Sequence, residues 1–223
     1  MALRFDDARV RAAINAVFVE RGGPPTADEL HARTELPRDE IFDALRRLEA
    51  AGAVLLRPGT LDVWLAPPFS ATPTIHHVTI GERKLWAACA WTALGACAML
   101  GPGRIHSLYG GEDAPFDLDV DEGGPRPLGD TCLHFAVPVR RWAESLGYAS
   151  ATTLFFPSPD AEADWLDRTR LPAGRVVPLE QAWRLAQAVF GKGADPGAHM
   201  RHRSEMDAVF RSVGLDDPFF LQK

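Results

Sequence analysis

AVLLRPGTLDVWLAPPF, residues 53–69, is the stretch that orders the rest of the chain. Val54 to Leu56 is a short apolar run, Pro58-Gly59 is a turn dipeptide, and Leu61, Val63 and Leu65 alternate with Asp62 and Trp64. The spacing predicts two strands joined as a hairpin. Pro67-Pro68 follows at once. Neither proline has a backbone N–H to give a strand ladder, so the pair closes the hairpin and marks a boundary.

Upstream of the hairpin the pattern is helical. Asp7 to about Glu20 carries Val10, Ile14, Val17 and Phe18 on one face, and Gly22-Gly23 ends it. Thr26 and Glu29 have the spacing of a capping box and start a short second helix. Leu36-Pro37 opens a third, in which Ile41, Leu45 and Leu48 recur at i, i+4 and i+7 before Gly52. Three helices followed by a two-stranded wing are the pattern of a winged helix-turn-helix domain, here residues 1–66. The third helix, which would enter a DNA groove, sets Asp39, Glu40, Asp43 and Glu49 against Arg38, Arg46 and Arg47. The whole chain has a formal charge of -6 and a pI near 5.6. That balance disfavours contact with phosphates, whether of nucleic acid or of an anionic membrane, so the domain is expected to be a structural module.

Downstream, residues 67–191 predict a mixed α/β domain, giving the whole chain an α+β class. An extended stretch, ATPTIHHVTI, leads to an apolar helix expected from about Arg83 to Leu100, with Cys89 in its middle. A glycine-rich turn region, GPGRIHSLYGGEDAP, comes next. Strands are expected at Phe116 to Val120, Cys132 to Val137 and Ser150 to Phe156, the last preceded by a helix from Arg140 to Leu146. A helix begins at Pro159-Asp160, and RVVPL and EQAWRLAQAVF read as a further strand and helix. Residues 192–223 form a helical extension in which Met206, Val209, Phe210 and Val213 share a face that docks on the core. Acidic residues stand where a signal peptide would be basic, and no stretch of about 18 apolar residues occurs, which predicts a cytoplasmic protein without membrane association. A monomer is expected.

The chemistry-bearing residues are sparse. Cys89, Cys97 and Cys132 are odd in number and lack CxxC spacing, so they build neither a disulfide framework nor a four-cysteine zinc site. His76, His77, His106 and His134, with Asp113 or Asp117, show no HExxH or facial-triad pattern and read as structural. The glycine-rich stretch lacks the Gly-Lys-Ser/Thr ending of a phosphate loop, and no GxSxG elbow is present. Cys132 and His134 lie two apart in a strand and point to the same face, where they pair only if that face lines a pocket. Cys89 in its apolar run is either a small hydrophobe or a buried reactive thiol.

The run APPFSATPTIHHVTIGERKLWAACAWTALG, residues 66–95, resembles the organomercurial (alkylmercury) lyase family where its N-terminal domain passes into its catalytic domain. ATTLFFPSPDAEADW, residues 151–165, and VVPLEQAWRLAQ, residues 176–187, are similar to later segments of the same family in the same order. The resemblance implies cleavage of a carbon–mercury bond: two cysteine thiolates bind the soft metal, an aspartate helps deliver a proton to the departing carbanion, and a low-molecular-weight thiol takes the ion. The first family cysteine falls on Cys89. The aspartate falls on Thr92 and the second cysteine on Ser150, so two of the three groups are hydroxyls here.

Cys97 lies eight residues beyond Cys89, about 12 Å along a helix, too far to share one ion with it. Cys132 comes from a different strand and is the remaining candidate second metal ligand. The resemblance therefore implies a small-molecule or organometallic substrate, no cofactor, and a pocket built on Cys89, Thr92 and Ser150. Two alternatives remain open: a winged-helix DNA-binding regulator responsive to a ligand or metal, and a non-catalytic binding protein for a thiophilic ion.

Overall fold

The computed structural model describes residues 4–113, 115–126, 128–191 and 203–221. Helices α1 (Phe5–Arg21), α2 (Ala27–Thr34) and α3 (Arg38–Ala50) come first, where the apolar periodicity places them. The Thr26–Glu29 capping box forms, with the Thr26 hydroxyl accepting the Glu29 N–H and the Glu29 carboxylate accepting the Thr26 N–H. Strands β1 (Leu55–Leu56), β2 (Val63–Ala66) and β3 (Phe69–Ser70) make a small antiparallel sheet. The hairpin thus gains a third strand beyond Pro67-Pro68, because Phe69 turns back to pair with Ala66.

The larger sheet has the order β5-β4-β6-β7-β8, from β4 (His77–Ile80), β5 (Arg83–Trp86), β6 (Gly103–Leu108), β7 (Pro115–Asp121) and β8 (Gly124–Pro125). Two expectations are corrected here. The segment from Arg83 to Trp86 is strand rather than helix: Gly81 and Glu82 turn the chain so that Ile80 faces Arg83 and Val78 faces Leu85. Helix α4 begins only at Ala90 and runs to Leu100, so Cys89 stands at its N-cap instead of in its middle. The apolar run hides the junction, because Leu85 is a buried strand residue and Ala90 onward a buried helix, with no polar break between them. The glycine-rich region is likewise a strand, β6, whose Ile105 and Ser107 point inward while Arg104 and His106 point outward. Gly103 is there for space, since a Cβ would come within 2.5 Å of the Thr79 carbonyl oxygen on β4.

A third sheet, β10-β9-β11, comprises β9 (Cys132–Phe135), β10 (Thr153–Phe156) and β11 (Arg175–Pro178), all antiparallel to β9. The strand expected from Ser150 starts at Thr153; Leu146–Ala151 is a short helix, α5, and Val139–Glu144 is a 3-10 turn where a regular helix was expected. Pro138 starts the 3-10 turn, and a break at Ser145 separates it from α5. Helices α6 (Pro159–Thr169) and α7 (Leu179–Phe190) match their sequence signals, with Ser158 capping α6. In the C-terminal extension, residues 192–202 lie outside the described residues. Helix α8 (Arg203–Ser212) docks as expected: Met206, Phe210 and Val213 are buried, and Phe220 packs on Phe135 and Phe210.

One apolar core runs from Val10 to Phe220. Burying an apolar side chain of this size contributes roughly 1.5–3 kcal/mol, so the central elements α4 and α7, buried along most of their lengths, dominate cohesion.

Candidate functional site

Cys89 adopts an extended backbone and caps α4 through its own side chain: Sγ accepts the Thr92 N–H at 3.5 Å, while the Thr92 hydroxyl oxygen accepts the Cys89 N–H at 2.8 Å. This is a capping box with cysteine and threonine in the two roles. The hydroxyl hydrogen of Thr92 lies within reach of Cys89 Sγ, 3.4 Å away, and of the Cys89 carbonyl, 3.1 Å away. Burial pushes the thiol up from its ordinary value, opposed by hydrogen bonds from the Thr92 hydroxyl and the Thr92 and Trp91 N–H groups. A helix N-terminus carries partial positive charge, so these donors favour a thiolate, or a metal thiolate, once the proton has been displaced.

Two residues beyond Cys89 lies an aromatic cluster. Trp91 packs against Phe190, Trp142 and Phe135, with ring centroids 5.1, 5.6 and 6.3 Å apart, and its indole Nε1–H is buried without a hydrogen-bond partner among the described residues. Cys89 is 4% exposed. A ligand reaches it only when covering side chains move.

Of the residues expected to form the site, the structure brings Thr92 to Cys89. Ser150 is buried in α5, the helix before β10, and among the described residues no hydrogen bond joins it to Cys89. Cys132 is directed elsewhere. Along β9, Leu133 and Phe135 enter the core that contains Cys89, whereas Cys132 packs with Phe156 and Trp165 in a separate cluster on the other face. The structure does not bring Cys89 and Cys132 together as two ligands of one ion. Cys97 is buried further along α4, its thiol pushed up to about 12 by desolvation.

The histidines behave structurally or pair locally. His76 is buried with Nδ1 2.8 Å from the Ser107 hydroxyl, and His106 Nδ1 lies 2.8 Å from Asp117 on the exposed face of β6 and β7. Among the described residues no three His, Cys, Asp or Glu side chains converge to hold a metal ion, and no helix is long and apolar enough to cross a membrane. The arginines of α3 already face carboxylates: Arg38 meets Asp28, Arg46 meets Asp43, and Arg47 meets Asp7. Sequence reasoning missed the capping role of Cys89, although the Cys-Ala-Trp-Thr spacing held the signal of a cap followed three residues later by its partner.

The alkylmercury lyase family model matches residues 69–191. Alkylmercury lyases from Bacillus cereus and Clostridium butyricum are each 29% identical over 117 residues, a match that spans 52% of this chain and 53% of theirs. The chain thus matches about half the length of these curated relatives. A solved structure described as the mercury-bound form of MerB2 shares the fold, with a TM-score of 0.69 at 20% identity, covering 81% of this chain and 88% of that one.

Proposed function

Because the chain belongs to the alkylmercury lyase family, we propose that it acts on a small organomercury compound through a single protein thiol, Cys89, with a low-molecular-weight thiol supplying the second sulfur. The observation that carries this reading is Cys89 at the N-cap of α4, its Sγ faced by the Thr92 N–H and hydroxyl within an apolar, aromatic surround.

In the first step Sγ bonds to mercury as the S–H bond breaks and the previous ligand of the metal leaves with the proton. Soft sulfur suits the soft metal, and the N-terminal donors of α4 stabilise the charge left on sulfur. The organic group then rests among Trp91 and its aromatic neighbours. In the second step a small thiol brings its sulfur to mercury and its proton to carbon: the S–H and carbon–mercury bonds break, and mercury–sulfur and carbon–hydrogen bonds form. A further thiol then displaces Cys89, which regains its proton. Thr92 has no carboxyl group to shuttle the proton, so the thiol carries it directly, with the Thr92 hydroxyl orienting Sγ. Ser150 contributes a hydroxyl to the wall of the opened site.

The test is a single-turnover incubation of reduced protein with phenylmercury and excess thiol, following benzene and bound mercury. The expected result is benzene release by the wild type and none by Cys89→Ala beyond the thiol-only background. Equal release by Cys89→Ala removes Cys89 from the reaction, and mercury bound to Cys89 without benzene shows capture in place of cleavage. The regulator reading finds no support at α3, whose arginines are engaged by carboxylates.

A further inference from the structure

On the face of β9 opposite Cys89, three chemistry-bearing side chains share a dry setting. Cys132 and His134 are adjacent on that face, at 1% and 0% exposure. Glu162, from the first turns of α6, lies with Oε1 2.6 Å from His134 Nδ1. Trp165, three residues further along α6, and Phe156 of β10 form a shared wall: both pack with Cys132, and their rings lie 5.7 and 6.3 Å from that of His134. Gly174, at a positive φ of 53°, passes close to this strand: a Cβ there would come within 2.2 Å of the Phe135 carbonyl oxygen and 2.8 Å of His134 Cε1.

The arrangement leaves one polar atom unanswered. With Glu162 as the acceptor, Nδ1 carries the ring hydrogen and Nε2 is left with its lone pair; Nε2 is buried and has no hydrogen-bond partner among the described residues. A buried acceptor without a partner forfeits the hydrogen bond it would make to water, a cost that a core position with no further role has no reason to bear. Carboxylate–histidine pairs of this kind orient an imidazole toward a metal.

We propose that Cys132 Sγ and His134 Nε2 form a two-coordinate site for a soft, thiophilic cation, with Glu162 as a positioning residue. Two donors without a third rule out a tetrahedral zinc-type site and suit an ion satisfied by two ligands. Burial holds the Cys132 thiol up at about 12 and the imidazole below its ordinary value, so both are neutral before a cation binds. On binding, the Sγ–metal bond forms as the S–H bond breaks, the proton leaves to solvent, and Nε2 donates its lone pair. No electron is transferred. The site is separate from Cys89 and does not rest on the lyase reading.

The experiment uses full-length Cys89→Ala/Cys97→Ala protein, in which Cys132 is the remaining thiol, titrated with Hg(II) against a competing small thiol and followed by near-ultraviolet absorption and 15N spectra of the histidines. About one equivalent should bind, with His134 Nε2 shifting, while near-ultraviolet circular dichroism stays that of the folded protein. Adding Cys132→Ala should abolish binding, and adding His134→Gln should weaken it by about tenfold or more. An unmoved Nε2 resonance overturns the proposal even if His134→Gln fails to fold. Binding that survives Cys132→Ala, or that occurs only with loss of the folded signal, overturns it as well.

Discussion

At Cys89 a single side chain both caps a helix and presents a sulfur, and Thr92 serves both roles with one hydroxyl. Thr92→Val removes the acceptor of the Cys89 N–H and a donor to Sγ. The expected loss is about 1 kcal/mol in chemical denaturation, the usual cost of losing a cap. Alkylation of Cys89 should also slow at fixed pH, because the hydroxyl opposes the upward push of burial on the thiol; Thr92→Ser should restore both. Unchanged alkylation in the valine variant would show that the hydroxyl acts only on the backbone. His76 offers a second residue-scale test. Burial lowers its value to about 3, so it stays neutral in the fold while the unfolded chain takes up a proton near 6.5. Below 6.5 the unfolded state binds more protons. Stability is therefore full above that pH and falls progressively as pH drops towards 3. His76→Asn should flatten this slope in melting temperature between pH 7 and 4.5; a slope identical to wild type would assign the acid sensitivity to other groups. The resemblance of the flanking motif singled out Cys89, but its place at a helix start was not legible. An unbroken apolar run looks alike whether its first half pairs as a strand or winds as a helix.

Elements whose patterns repeat clearly were readable: α1, α3, α6 and α7 carry apolar stripes bounded by caps, glycine or proline. Strand β6 was not, because glycines at both ends resemble turns while their actual function is close approach to neighbours. Gly110, just beyond β6, would place a Cβ 2.2 Å from Phe156 Cζ. Helices α4 and α7 meet in the same manner at Gly95, where a Cβ would lie 2.5 Å from Phe190 Cδ2. Gly95→Ala should therefore push Phe190 aside or separate the helices, destabilising by about 1–3 kcal/mol as overpacking does. Phe190→Leu, costly by itself, should recover part of that loss in the double variant. A thermodynamic cycle on the four proteins measures it, and strict additivity would mean that the two positions do not meet.

Across the whole molecule the order of segments was legible, while their mutual dependence was not. Phe18 of α1 stacks on Phe69 at 5.5 Å, and Phe69 bridges to Ala87, two residues before Cys89. Arg11, fully buried and lowered to about 9 by desolvation, gives one guanidinium nitrogen to Asn15 and the other to the Pro67 carbonyl. Contacts of this sort arise between segments far apart in sequence, and no local pattern announces them. They predict a single cooperative calorimetric transition for the full chain; two separable transitions would show the helical N-terminal unit melting on its own. Strand β9 sits between β10 and β11 in its sheet, with successive residues committed to opposite faces. Its evolution is thereby constrained in an asymmetric way. Leu133 can be exchanged for another apolar residue without disturbing His134, and the converse holds, but a one-residue insertion or deletion within Cys132–Phe135 trades the two environments wholesale. Lineages that descend from this sequence should therefore hold the length of β9 constant and exchange its core-facing residues only for other apolar ones.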